Sequence, residues 1–419
     1  MHGTFELCFS LSRRKSEVCH ACKHNLNSRT GIVPNEPARQ ASIRVTAGDN
    51  CTTSRKHYQP DGDCVMPERQ HHVEASHQNV DRLLGNSGLH LARSALYRSV
   101  AQRWLQGLSQ LLVVVDWSDL SRDQHWQLLR ASVVVEGRSV TLYEEVHPQK
   151  LLGNANVHRC FLQRLSGILP AGVRLIVMTD AGFHAPWFKM VMEQGWEFVG
   201  RIRGRNRVRW GDGEAWIPAR DLYSRTREKT LDLGLGAYAR SNPVAVRGVL
   251  SRRPNKGRRC LNIYGAKRTG YNSSKNARSA REPWLLASSL GLQHLTADAI
   301  VGLYSQRMRI EQSFRDTKNL RVGFGLEVTR SRSKQRLEIL LLIAHLALFV
   351  QRLIGECAKQ RQLELQFMST RRVGRREIST VTLGRRILDA APHYLRQLLP
   401  WKAIPSLAEQ VIDACAGAR

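Results

Sequence analysis

Tyr304, Arg307, Glu311 and Lys318 lie within the stretch LYSQRMRIEQSFRDTKNL (Leu303–Leu320), spaced Tyr-x2-Arg-x3-Glu-x6-Lys. At about 100° per residue in a helix, the four side chains fall within a sector of roughly 60°. Arg315 projects from the same sector, and Leu303, Ile310 and Phe314 form an apolar stripe beside it. The pattern predicts one helix over this stretch. It would carry a carboxylate flanked by cations and an aromatic hydroxyl, on a face the core does not need. Such a face could grip a phosphate and a metal ion together. Glu–Arg pairs at helical spacing also decorate plain solvated helices, where each is worth only about 0.2–0.5 kcal/mol.

Two other acidic residues favour the chemical reading. Asp116 ends the Val-rich run QLLVVVD (Gln110–Asp116), and Asp180 ends VRLIVMTD (Val173–Asp180). Both segments read as buried strands. A carboxylate at the end of a buried strand is held rigidly while its head group reaches a cleft. The two would share that cleft if their strands are neighbours in one sheet. Between them, Trp126–Val146 reads as two strands around a Glu136-Gly137 turn, giving the order strand, strand, strand, helix, strand.

Three converging carboxylates suit a two-metal phosphoryl-transfer site. Mg²⁺ is a hard cation held by few carboxylates together with water and substrate phosphate. Two such ions can activate the attacking oxygen and stabilise the leaving oxygen of an in-line displacement. Asp116, Asp180 and Glu311 are therefore the expected catalytic residues and metal ligands, with Mg²⁺ as the cofactor and Mn²⁺ as a substitute. The chain has no P-loop, no dinucleotide-binding fingerprint and no Gly-x-Ser-x-Gly elbow.

With these residues in order, the chain resembles the DDE transposases of the insertion-sequence-four family, in particular its insertion-sequence-ten branch. Supporting blocks are VDWSDL (Val115–Leu120), GRSVTLY (Gly137–Tyr143), DAGFHAPWF (Asp180–Phe188), REPWLL (Arg281–Leu286) and STVTLG (Ser379–Gly384). The resemblance runs from about His77 to near the C-terminus. It implies an RNase H-like α/β core and a β-rich insertion between the second Asp and the Glu. It also implies cut-and-paste transposition through a hairpin end, and a homodimer bridging two DNA ends. Tyr304, Arg307 and Lys318 would hold DNA phosphates at the element end, positioning the strand without reading its sequence, with Arg315 a further DNA-binding residue. The family stacks a Trp on a flipped base near the position of Trp284. The partners implied are the terminal inverted repeats of the element and target DNA.

Composition fits a nucleic-acid partner. The chain of 419 residues carries 64 basic against 35 acidic residues, a formal charge of +29. Phosphate neutralisation dominates nucleic-acid affinity, so such an excess suits a polyanion. An anionic membrane is the rival, but the most apolar run, Ile339–Val350, is 12 residues long and a spanning helix needs about 20. It is expected to be a buried core helix, with His345 a core histidine. The start of the chain has no signal-peptide pattern, and a cytoplasmic, nucleoid-associated protein without membrane contact is expected. The nine cysteines are an odd number without a secretion signal, against a disulfide framework. Cys19-x2-Cys22 with Cys51 and Cys64, and His20 and His24 as spare ligands, can be drawn as a zinc site. The second pair lacks the close spacing of zinc modules.

The expected organisation is an unmatched, disordered segment over 1–74, a helical lead-in over 75–108, and the first part of the core over 109–200. A β-rich insertion over 201–282 follows, with RIRGRNRVR (Arg201–Arg209) at its start and a basic loop, Ser251–Arg281, lying over DNA. The second part of the core, with the Glu311 helix, occupies 283–336, and a helical region closes the chain over 337–419. The composition of the first 74 residues cannot bury much surface, and the end-recognising helical domain of the family has no match there. A decayed copy of an element, with its catalytic core intact, would look like this. Two other readings stay open: an RNase H-like nuclease without strand transfer, and a non-catalytic nucleic-acid-binding protein.

Overall fold

The computed structural model describes residues 78–211, 215–226, 230–252, 282–368 and 378–416. The expectations for residues 1–74, including the N-terminal cysteines, lie outside them, as does the basic loop from residue 253 to 281. The chain divides into two units, 1–87 and 88–419, and the second carries the sheet described here.

Helix α1 (Ser87–Leu105) leads into three antiparallel strands, β1 (Gln110–Asp119), β2 (Trp126–Val135) and β3 (Arg138–Pro148). The β2–β3 turn falls at the expected Glu136-Gly137, where Gly137 takes the left-handed conformation (φ +67°) that a residue with a Cβ resists. Helix α2 (Ala155–Ile168) then crosses back to β4 (Arg174–Thr179), which lies parallel to β1, and α3 (Ala185–Glu193) crosses to β5 (Glu197–Ile202), parallel to β4. Parallel neighbours need such helical crossovers, and they bury both faces of the strands they join. This explains why β1 and β4 are continuous apolar runs with no alternation.

The sheet does not stop at the core. Its order is β3-β2-β1-β4-β5, then β10 (Trp284–Ser288), β9 (Val244–Ser251), β8 (Leu231–Tyr238), β6 (Arg207–Trp210) and β7 (Ile217–Pro218). The first five strands in that order are the RNase H-like part. The insertion contributes β6, β7, β8 and β9. Strand β10 pairs antiparallel with both β5 and β9, so the insertion extends the same sheet.

Alternate residues of β1 feed two cores. Leu111, Val113 and Val115 pack with α1, α2 and α3, while Leu112 and Val114 pack with α4 (Ala297–Ser305) and α5 (Arg309–Lys318). The same period places Ile176 and Met178 of β4 on the α4–α5 face. The C-terminal helices α6 (Lys334–Gln360), α7 (Thr380–Ala390) and α8 (Ile404–Ala416) close the structure. By length and composition α6 could cross a membrane. Its residues instead serve both cores, with Leu337, Leu341 and Ala344 in one and Leu342, Leu353 and Ile354 in the other. The apolar run Ile339–Val350 is the middle of this core helix. His345 is buried within it, its ring 4.9 Å from that of Tyr97, and burial pushes its imidazole down to about 3, so it is neutral at physiological pH.

Candidate active site

Strand β1 continues past Asp116 to Asp119, because Asp116 still pairs with Arg130 of β2. The expectation that the strand ends at Asp116 needs this correction. What ends there is the other partner: the parallel ladder with β4 runs from Gln110↔Arg174 to Val114↔Met178. Carried on two residues in the same register, it sets Asp116 opposite Asp180, the first residue after β4. Both continue the alternation of Leu112, Val114, Ile176 and Met178, and so face α4 and α5. In the turn after β4 the Gly182 N–H donates to Asp180 Oδ1 at 2.8 Å, and a Cβ at Gly182 would stand 3.0 Å from that oxygen. The Trp117 N–H donates to Asp116 Oδ1 at 2.9 Å.

The third carboxylate arrives differently from expectation. Leu303–Leu320 is not one helix: α4 ends at Ser305, Gln306–Met308 forms a 3-10 turn, and α5 begins at Arg309. The Ser305 hydroxyl donates to Gly302 O at 2.7 Å, a back-bond of the kind that bends helices. The break leaves the apolar stripe intact, with Leu303, Ile310 and Phe314 all buried. Arg307 still bridges Tyr304 and Glu311 across it, but the four side chains are not equally open to a ligand. Tyr304 is only 3% exposed and belongs to the core; Arg307 sits in the turn, and Glu311 and Lys318 lie on α5. Helix α5 is fixed to the sheet by Arg130, whose guanidinium pairs with Glu144 of β3 at 2.6 Å. The same group donates to Ser313 Oγ at 3.3 Å and Thr317 Oγ1 at 2.9 Å.

Arg307 links the acidic groups. Its Nη1 lies 2.9 Å from Asp116 Oδ2 and its Nη2 3.6 Å from Glu311 Oε1, and Asp180 also acts on its charge. Burial, and then the neighbouring Asp180, push the Asp116 carboxyl up to about 7 even though Arg307 pulls it down. Glu311 is half exposed. Among the described residues, no three His, Cys, Asp or Glu side chains stand close enough together to cage an ion. One guanidinium cation stands among the carboxylates instead. The donor set is all hard oxygen, and the raised Asp116 marks a shortage of positive charge that a divalent cation would relieve. In those two respects the residues fit a metal.

A transposase DDE domain model matches residues 108–350, more than half of the chain. The chain belongs to that family. It is a DDE transposase, a nucleotidyl transferase that acts on DNA, and enzymes of this family generally use divalent metals. No curated protein matches it. The matched span contains Asp116, Asp180 and Glu311 together with every DNA-contacting candidate.

The transposase holds those candidates unequally. Lys318 does not project freely: its Nζ donates to Ser118 Oγ at 2.6 Å and Asp119 O at 2.9 Å, and burial lowers its pKa. Arg315 is exposed on α5. Trp284 opens β10, half-buried, with its ring edge-on to Tyr304 at 5.0 Å. Sequence reasoning missed Arg201 as a neighbour of Asp180. The β4–β5 register Thr179↔Gly200, carried on one residue, puts them side by side. Arg201 is largely buried, with Nε and Nη2 lacking hydrogen-bond partners, and Arg203 beside it pairs with Glu282 at 2.5 Å. Alternation of Arg with Ile in this stretch was the visible signal, but only the register assigns it a place.

Proposed function

We propose that this transposase performs cut-and-paste transposition of an insertion sequence, as a member of the insertion-sequence-four family and its insertion-sequence-ten branch. The observation that carries the reading is the β1–β4 register, which sets Asp116 against Asp180 on the face where Arg307 and Glu311 approach. Asp116, Asp180 and Glu311 are the catalytic residues and would hold two Mg²⁺ ions, with Mn²⁺ as a substitute. Bound there, the ions would supply activation of the attacking oxygen and stabilisation of the leaving one.

The chain's own groups do the rest. Asp116 is held by its pairing with Arg130 of β2 and by the Trp117 N–H, and Asp180 by the Gly182 N–H in the turn after β4. Arg307, freed from Asp116, would turn to a phosphate at the element end, and Lys318 would do the same from the end of β1. Tyr304 acts from the core by backing Arg307, whose guanidinium carbon lies 6.0 Å from its ring centroid. Trp284 takes an extruded base on its open side, and Arg315 meets the backbone further along. Water attack at an element end frees a 3′-hydroxyl, which attacks the opposite strand to give a hairpin. The hairpin is reopened and joined to target DNA, each step being an in-line phosphoryl transfer. A homodimer bridges two terminal inverted repeats, in the cytoplasm and at the nucleoid. Residues 109–200 and 283–336 are assigned to the catalytic core and 201–282 to its insertion.

The test is incubation of the full chain in Mg²⁺ with duplexes carrying the DNA that flanks its gene. Nicking that leaves a 3′-hydroxyl, then hairpins, then joined products are expected. Cutting without joining would favour a nuclease. Retention without cutting would leave only a DNA-binding protein.

A further inference from the structure

The two aspartates are braced from behind, on the face of the sheet that the carboxylates do not use. Trp117 follows Asp116 and its side chain lies on the opposite face, where its indole Nε1–H donates to His158 Nε2 at 3.0 Å. His158 stands in the first turn of α2, 4% exposed, and its backbone N–H donates to the carbonyl of the N-cap residue Asn154. Its ring stacks on Phe183 with centroids 5.1 Å apart at 23°, and meets the edge of Trp187 at 5.0 Å. Phe183 lies in the turn after Asp180 and its N–H donates to Asp180 O at 3.4 Å. One buried imidazole therefore touches the chain immediately after each aspartate.

From this we infer that His158 is a positioning residue that sets the separation of Asp116 and Asp180 through Trp117 and Phe183. It rests on the reading of those aspartates as metal ligands. The imidazole is suited to the task. Burial, with His147 and His184 nearby, holds it down to about 4, so at neutral pH it is uncharged and keeps the Nε2 lone pair for the indole. Asp116 still pairs with Arg130 of β2, but the β1–β4 pairs stop at Val114↔Met178, so no ladder pair fixes the separation of the two aspartates. Groups that orient metal ligands from outside the ligand set typically change metal affinity by about 10–100-fold when lost.

The experiment titrates the full-length chain with Mn²⁺ by calorimetry at pH 8 without DNA, beside thermal melts. His158→Phe keeps an aromatic ring on Phe183 but removes the acceptor. It should weaken Mn²⁺ binding about tenfold while the melting temperature stays within a few degrees. His158→Gln, which offers an amide oxygen near the position of Nε2, should recover most of the affinity. Trp117→Phe should match His158→Phe, and the double variant should lose little more than either alone. Wild-type affinity in His158→Phe would overturn the proposal, as would failure of His158→Gln to recover any affinity. If the wild-type chain bound no Mn²⁺, or Asp116→Asn bound it equally well, the metal-site reading itself would fall and the brace with it.

Discussion

Glu145 and Asp116 are both largely buried carboxylates of one sheet, and their surroundings push them in opposite directions. Glu145 of β3 receives Tyr143 Oη at 2.8 Å and Arg164 Nη1 at 2.7 Å, with His147 Nε2 at 2.9 Å. Burial alone would raise its pKa, but these partners hold it down at about 2. Asp116 has one guanidinium and one backbone N–H, faces another aspartate, and is raised to about 7. The first carboxylate is satisfied and serves the fold. The second is raised by burial and by the facing Asp180, with too few partners to offset them, which is what the proposed metal-binding role would account for. Its neighbour Arg130, paired with Glu144, belongs with the satisfied class although it lies opposite Asp116.

The largest effect that would sharpen this contrast is at Arg130. Arg130→Ala leaves Glu144 buried without its cation and unties α5, and should cost about 3–5 kcal/mol of stability in denaturant titration. A loss below about 1 kcal/mol would remove Arg130 from the structural class. Glu145→Gln should cost less, roughly 2–3 kcal/mol, because Arg164 is half exposed and can rehydrate.

Asp116→Asn should act in the other sense, and pH separates the two. A free Asp releases its proton near 3.8, whereas Asp116 in the fold keeps it up to about 7. The native chain therefore holds the extra proton between these values. This residue's contribution to stability is present at low pH and lost as pH rises through 7. Without metal, the stability of Asp116→Asn relative to wild type should grow from pH 5 to pH 8. For Glu145, lowered from 4.5 to about 2, the contribution is complete above about 4.5 and lost as pH falls toward 2. The deficit of Glu145→Gln should accordingly shrink over that acidic range. Paired thermal melts across pH would show two trends of opposite sign; parallel trends would erase the distinction.

The smallest effect concerns Lys318. If it exchanges Ser118 and Asp119 for a DNA phosphate, Lys318→Ala should lower the slope of log affinity against log salt by about one. An unchanged slope would return Lys318 to a purely structural tether between α5 and β1.

The sheet core was legible because its strands are buried on both faces and read as apolar runs, so that QLLVVVD and VRLIVMTD could be recognised and their order anticipated. The turn at Gly137 and the stripe Leu303, Ile310, Phe314 were legible for equally local reasons. The 3-10 turn at Gln306–Met308 was not, because it keeps nearly the same apolar period, and neither was the burial of Tyr304, which the polar spacing alone placed on an open face. Strand β8, with Gly234 and Gly236 in LDLGLGAY, offers little strand propensity and is made by its pairing with β9. Trp117 and His158 lie 41 positions apart in sequence, and only the crossing of α2 over the sheet brings them together.

The central claim is that Asp116, Asp180 and Glu311 form one catalytic site. Its most direct measurement is Mg²⁺-dependent cleavage of the element end by Asp116→Asn, Asp180→Asn and Glu311→Gln, each beside a mobility-shift assay on the same duplex. Each substitution removes a negative charge at nearly constant volume. Cleavage should fall by roughly a thousandfold or more in every variant, while DNA retention persists. Cleavage near the wild-type rate by any one of them would contradict the claim at that residue.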